Sequence, residues 1–153
     1  MVDSGGMWMF GLYEKNLDSK NRIIVPIKFI NQLGTKFFLT LGMNGILELR
    51  SQEEFAKLTN DLVKRSNYDQ KARLLKRFWL GNSYEVELDA LNRFTFPKLL
   101  VEKAAIQKNV VLVGLGDLVE IWSAEKYYQY NQDLSNDEIQ EAMESLLKDA
   151  TEK

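Results

Sequence analysis

Apolar and polar residues alternate in short runs along this chain, and the same series of runs occurs twice. Residues 9–16 and 83–88 read as half-buried strands, with apolar and polar positions exchanging at each step. Each strand runs into a polar turn, Asp18-Ser19-Lys20-Asn21-Arg22 in the first place and Asp89-Ala90-Leu91-Asn92-Arg93 in the second. A short β-branched or aromatic strand follows at 23–25 and again at 94–96. Pro26 and Pro97 then suit the first turn of a helix, where a missing N–H costs nothing. These helices are expected to run to about residue 33, stopped by Gly34, and to about residue 105. A hairpin closes each series. Residues 37–41 turn at Asn44-Gly45 into 46–50, and residues 110–113 turn through 114–117 into 118–122.

The two series align as a repeat. Asp18, Asn21, Arg22 and Pro26 match Asp89, Asn92, Arg93 and Pro97 at a displacement of 71, and Tyr13-Glu14 matches Tyr84-Glu85 at the same offset. Downstream, Leu39 to Gly42 align with Val111 to Gly114 at 72, as do Leu47-Glu48-Leu49 with Val119-Glu120-Ile121 and Ser51 with Ser123. One inserted residue accounts for the change. In each turn Asp is expected to accept backbone N–H bonds, and Asn to sit at positive φ, which it tolerates better than other non-glycine residues. A β-rich unit of under about 50 residues buries too little surface to stand alone. The copies are therefore expected to pack on each other and close one barrel from interleaved hairpins. Arg22 and Arg93 then occupy equivalent places about a pseudo-twofold axis. A purely structural turn, with Arg paired to its own Asp or to a neighbouring carboxylate, is the competing reading of the motif.

Helical patterns fill the remaining chain. Ser51-x-x-Glu54 is a capping box opening a helix over about 52–64. A second helix over about 69–80 carries Leu74, Leu75, Phe78 and Trp79 as its apolar side. Between Lys57 and Arg77 stand seven cations against Asp61 and Asp69, which reads as a solvated face, a subunit interface or an auxiliary phosphate contact. Ser123 caps a helix bearing Tyr127, Tyr128 and Tyr130. Ser135-x-x-Glu138 opens an acidic helix with Ile139, Met143, Leu146 and Leu147 at helical spacing, a stripe that needs its own domain or a neighbouring subunit to cover it.

Composition removes several chemistries. With neither Cys nor His, the chain cannot build the usual zinc sites, a Cys/His dyad or a Ser/His/Asp triad, and no glycine-rich phosphate cradle occurs. No metal or cofactor is expected. A carboxylate enzyme working through Asp18, Asp89, Glu48 or Glu120 is disfavoured, because these residues fall at repeat-equivalent turn and strand positions that structure alone explains. An apolar content of 45 % and a charged content of 27 % are ordinary for a globular protein. No apolar run approaches the roughly 20 residues that cross a bilayer, and no secretion signal is legible, so a cytoplasmic location is expected. The net charge of −2 is unevenly spread: residues 1–123 hold 17 Lys+Arg against 14 Asp+Glu, and residues 124–153 hold 3 against 8. A mildly basic body with an acidic tail is compatible with a polyanionic partner.

The doubled segments Leu17-DSKNR-IIVP and Leu88-DALNR-FTFP, together with VVLVGLGDLVEIWS, resemble the MraZ family over about residues 9–130. The family pattern is DxxGR, and here both glycines are replaced, by Asn21 and Asn92; Asn is the next-best residue at positive φ. The resemblance implies an α+β fold, a pseudo-twofold double-split β-barrel made of two AbrB-like swapped-hairpin repeats with flanking helices. It implies a DNA-binding transcriptional regulator of the division and cell-wall gene cluster, nucleoid-associated, binding promoter direct repeats as a ring-shaped homo-oligomer, commonly an octamer. Carried to this chain, the DNA-facing residues are Lys20, Arg22 and Arg93, held by the structural turn residues Asp18, Asn21, Asp89 and Asn92. Lys28 and Lys98, just after the prolines, are added from their position alone. The expected divisions are a flexible start (1–8), a first swapped-hairpin repeat (9–56), a helical connector (57–80), a second repeat (81–130) and an acidic C-terminal helix (131–153). The competing class is a swapped-hairpin interaction module, antitoxin-like or structural, whose main partner is another protein docked on the tail stripe.

Overall fold

The computed structural model describes residues 8–152, so the flexible start expected at residues 1–8 lies outside the described residues except for Trp8. The first half of the chain forms strands β1 (Leu12–Asn16) and β2 (Arg22–Ile24), helix α1 (Ile27–Leu33), strands β3 (Lys36–Leu41) and β4 (Leu47–Ser51), and helices α2 (Gln52–Val63) and α3 (Gln70–Gly81). The second half repeats the order with β5 (Ser83–Glu87), β6 (Arg93–Thr95), α4 (Lys98–Lys103), β7 (Asn109–Gly114), β8 (Val119–Ser123), α5 (Ala124–Asp133) and α6 (Asn136–Glu152). Element ends follow local chemistry. The Ser51 hydroxyl accepts the Glu54 amide, the Ser123 hydroxyl that of Lys126, and the Asp69 carboxylate those of Lys71 and Ala72. Pro26 and Pro97 sit one place earlier than expected, as the N-caps of α1 and α4, with φ of −57° and −58°.

A six-stranded antiparallel sheet runs in the order β1-β7-β8-β4-β3-β5, and β2 pairs with β6 in a separate two-stranded ribbon. Exchanging the halves reverses the six-stranded order onto itself, so the fold has an internal pseudo-twofold axis between β4 and β8. The first strand of each repeat joins the hairpin of the other: β1 lies against β7, and β5 against β3. The expected interleaving is present. The fold is mixed α+β with two equivalent halves.

The core follows the same symmetry. Ile23 and Phe94, Val25 and Phe96, Phe29 and Leu100, Leu39 and Leu112, and Leu47 and Val119 are equivalent pairs, and all are buried. Phe37 meets Phe94 edge-on at 5.7 Å between ring centroids, tying the first hairpin to the second ribbon strand.

The pairing register corrects one detail of the repeat. Leu12 faces Val113 while its equivalent Ser83 faces Thr40, which sets the β3–β7 displacement at 73 rather than 72. Leu39 is thus equivalent to Leu112, not Val111. Two residues are inserted between α4 and β7, and one is removed where β7 turns into β8. The run Val110 to Val113 is apolar on both faces, so alternation could not reveal the slip.

Gly34 ends α1 at φ 81°, and the equivalent place after α4 is held by Ala105 at φ 55°. Alanine in the left-handed region costs about 1–2 kcal/mol, partly offset in glycine by its larger unfolded-state entropy. Ala105→Gly is predicted to stabilise the protein by about 0.5–1 kcal/mol. A rise in the urea midpoint with an unchanged slope is the expected result.

Candidate functional site

The two polar turns are built alike, and each is closed by its aspartate. Asp18 Oδ1 accepts the amides of Lys20 at 2.9 Å and Arg22 at 3.0 Å, and Oδ2 accepts Arg22 Nε at 2.8 Å. In the second turn Asp89 Oδ1 accepts the amides of Leu91 and Arg93, both at 2.9 Å, and Oδ2 accepts Arg93 Nε at 2.8 Å. Asn21 at φ 58° and Asn92 at φ 61° take the left-handed position expected of them. Both carboxyls are held below the ordinary range. The first cause is the hydrogen bond from the arginine backbone N–H; the arginine side chain and the other turn amide reinforce it against a desolvation penalty.

The turns also close each other. Val25 donates its amide to the carbonyl of Asn92 at 2.9 Å, and Phe96 donates to the carbonyl of Asn21 at 2.8 Å. Between them the ribbon pairs Arg22 with Thr95, Ile23 with Phe94 and Ile24 with Arg93. Side chains alternate across a strand, and Ile23 and Phe94 fill the core. Arg22, Ile24, Arg93 and Thr95 therefore share the opposite, solvent-facing side. The two arginines stand on a diagonal of one ribbon, roughly 7–8 Å apart.

Both arginines are ion-paired within their own turns, as the structural reading of the motif expected, but neither is buried: their side chains are 26 % and 25 % exposed. Only Nε is engaged. Among the described residues no acceptor is bonded to the Nη atoms of Arg22 or Arg93. The carboxylate fixes the guanidinium plane and leaves its outer edge able to donate.

Lys20, Lys28 and Lys98 are exposed and, among the described residues, free of ion pairs. Lys20 lies in the first turn, and Leu91 takes its place in the second. Lys28 and Lys98 stand in the first turns of α1 and α4 but are not equivalent: Lys98 matches Ile27, and Lys28 matches Leu99. Sequence reasoning missed Ile24 and Thr95, which lie between the arginines on the outer face. The period-2 alternation of 22–25 and 93–96 was the signal that could have found them.

Glu48 and Glu120 face each other across β4 and β8. Glu48 is bonded to Arg50 at 2.6 Å and Glu120 to Trp122 Nε1 at 2.9 Å. Among the described residues no group of three or more His, Cys, Asp or Glu could hold a metal ion, and no helix is long and apolar enough to cross a membrane.

This arrangement defines a two-repeat protein of exchanged hairpins, with one shared ribbon presenting a matched pair of Asp–Arg turns. Residues 9–78 and 79–149 each match the family model described as "MraZ protein, putative antitoxin-like". A protein of Mycoplasmopsis pulmonis named Transcriptional regulator MraZ is 38 % identical, over 95 % of this chain and 99 % of its own. Proteins of the same name are 42 % identical in Mycoplasma mobile, over 85 % and 89 %, and 38 % in Thermoanaerobacter sp., over 90 % and 98 %. The chain belongs to the MraZ family.

Two predictions test the turns. Because the folded carboxyls sit below the ordinary value of 3.8, the stability they contribute is full above that value and lost as pH falls through the folded one. In an Asp18→Asn, Asp89→Asn variant, the fall in urea midpoint below about pH 4 should be shallower than in the parent. Asn21→Gly should keep stability within about 0.5 kcal/mol, whereas Asn21→Val should lose about 1–2 kcal/mol in the same assay.

Proposed function

We propose that this protein is a transcription regulator that binds double-stranded promoter DNA through the outer face of the β2–β6 ribbon. The observation that carries the reading is the placement of Arg22 and Arg93 on one solvent face, each with its Nη edge unbonded among the described residues. A two-stranded ribbon is narrow enough to enter the major groove, and an oriented guanidinium makes the commonest specific contact, bidentate to guanine. Lys20, Lys28 and Lys98 supply phosphate contacts from the turn and from the helix starts behind it. Asp18, Asn21, Asp89 and Asn92 hold the arginines rather than touching DNA. The relatives' name, Transcriptional regulator MraZ, supports the same class.

The Asp–Arg pairs are neutral overall, so one copy brings few unpaired cations to the face and binds weakly in salt. Several copies on one ring, meeting direct repeats upstream of the division and cell-wall gene cluster, raise the affinity without any new contact. In this reading the two sheets close as a double-split barrel, the ring is an octamer, and the protein works in the cytoplasm on the nucleoid. The exposed tail stripe favours a second reading, in which the main partner is another protein. Arg22→Ala in the intact assembly separates the two: DNA binding is lost under the first, and binding of the protein partner survives under the second.

Arg22→Ala is predicted to weaken binding to a fragment bearing the upstream repeats by about 1–3 kcal/mol per contact, with assembly mass unchanged. Lys20→Ala should instead weaken binding to all sequences alike and reduce the salt slope by about 1. Unaltered gel shifts with the intact Arg22→Ala assembly would remove this face from the mechanism.

A further inference from the structure

We infer that α6 of one copy docks in the apolar groove between α2 and α3 of a second copy. The inference deepens the assembly part of the reading above and rests on it. α6 carries Ile139, Met143 and Leu146 at spacings of four and three, with Leu147 beside them, and these side chains are 46–70 % exposed. Of the two covers the sequence allowed, packing on its own domain is not what the structure has. A contiguous apolar stripe of this kind on a long helix marks a contact surface.

The receiving groove has the matching chemistry. Met43, Leu58, Leu62, Leu75, Phe78 and Trp79 line a cavity of about 330 Å³, together with Glu48, whose charge is paired with Arg50. Leu58 and Leu75 are half exposed at its mouth. The stripe from Ile139 to Leu146 spans about 10 Å of helix axis, and α3 offers about 12 Å between Lys71 and Trp79. A helix laid in such a groove by anchors at these spacings is a common recognition mode.

Charge selects this pairing over α6 against α6. α6 holds Asp137, Glu138, Glu141, Glu144, Asp149 and Glu152 with a single lysine, so two such helices repel. α3 holds Lys71, Arg73, Lys76 and Arg77 and no acid, and α2 holds Lys57 against Glu53, Glu54 and Asp61, so the two walls together are net basic, with the positive field on the α3 side. The contact joins unlike surfaces, leaving each copy one free helix and one free groove until a ring closes.

The test is the mass of the full chain by light scattering after gel filtration, without DNA, with circular dichroism to confirm folding. The parent is expected to be an oligomer. Met143→Glu with Leu146→Glu, and separately Leu75→Glu, should each reduce it to monomer. Lys71→Glu, Arg73→Glu and Arg77→Glu together should dissociate it, and adding Glu141→Lys and Glu144→Lys should restore the parental mass. Stripe variants that keep the parental mass, groove variants that keep it while stripe variants do not, or charge reversal without rescue overturn the docking while leaving the assembly reading intact. A monomeric parent overturns that assembly reading with it, and the effect of Arg22→Ala on DNA is scored independently.

Discussion

Phe96 donates its amide to the carbonyl of Asn21, and Val25 returns the bond to Asn92, so each polar turn is completed by the opposite half of the chain. The same exchange governs the larger sheet, where β1 finds its neighbour in β7 and β5 in β3. Backbone groups at these positions lie close to the core. Leaving one unpaired there costs about 1–3 kcal/mol, and several would be left if a half stood alone. Mutual completion of backbone pairing therefore holds the ribbon at the junction of the halves, and the ribbon sets the outward residues side by side. The core pairs, from Ile23 and Phe94 to Leu47 and Val119, reinforce a register that the hydrogen bonds define.

Much of this was legible in the residues. The doubled Asp-x-x-Asn-Arg turn revealed the repeat, the positive φ of both asparagines and the equivalence of the arginines, because a tight turn leaves little choice of chemistry. Capping residues Ser51 and Ser123 marked helix starts, since an unpaired first-turn amide needs an oxygen close in sequence. What stayed hidden depended on register or on distant contacts. The displacement of β3 against β7 was off by one because Val110 to Val113 offers no polar face to anchor it. Ile24 and Thr95 were overlooked because their neighbours across the ribbon come from the other half of the chain. The apolar side assigned to α3 was only partly right: Phe78 and Trp79 turn inward, while Leu74 and Leu75 face solvent.

The Asp–Arg pairs combine two roles that the sequence reading had set against each other. An exposed arginine on a free backbone samples many rotamers and loses that freedom on contact. Here Asp18 and Asp89 hold Nε in advance, so less entropy is lost when the outer edge of the guanidinium meets an acceptor. The carboxylate also cancels much of the long-range attraction. The face is thus better suited to recognising geometry at close range than to drawing in a polyanion from afar.

A dimer of identical chains would give this ribbon two interchangeable ends. With both halves in one chain, the ends are free to differ, and they do: Lys20 answers Leu91, Ile27 answers Lys98, and Lys28 answers Leu99. The surface consequently has a heading, like an arrow rather than a bar. A target turned end for end meets different side chains, so successive targets must all point the same way.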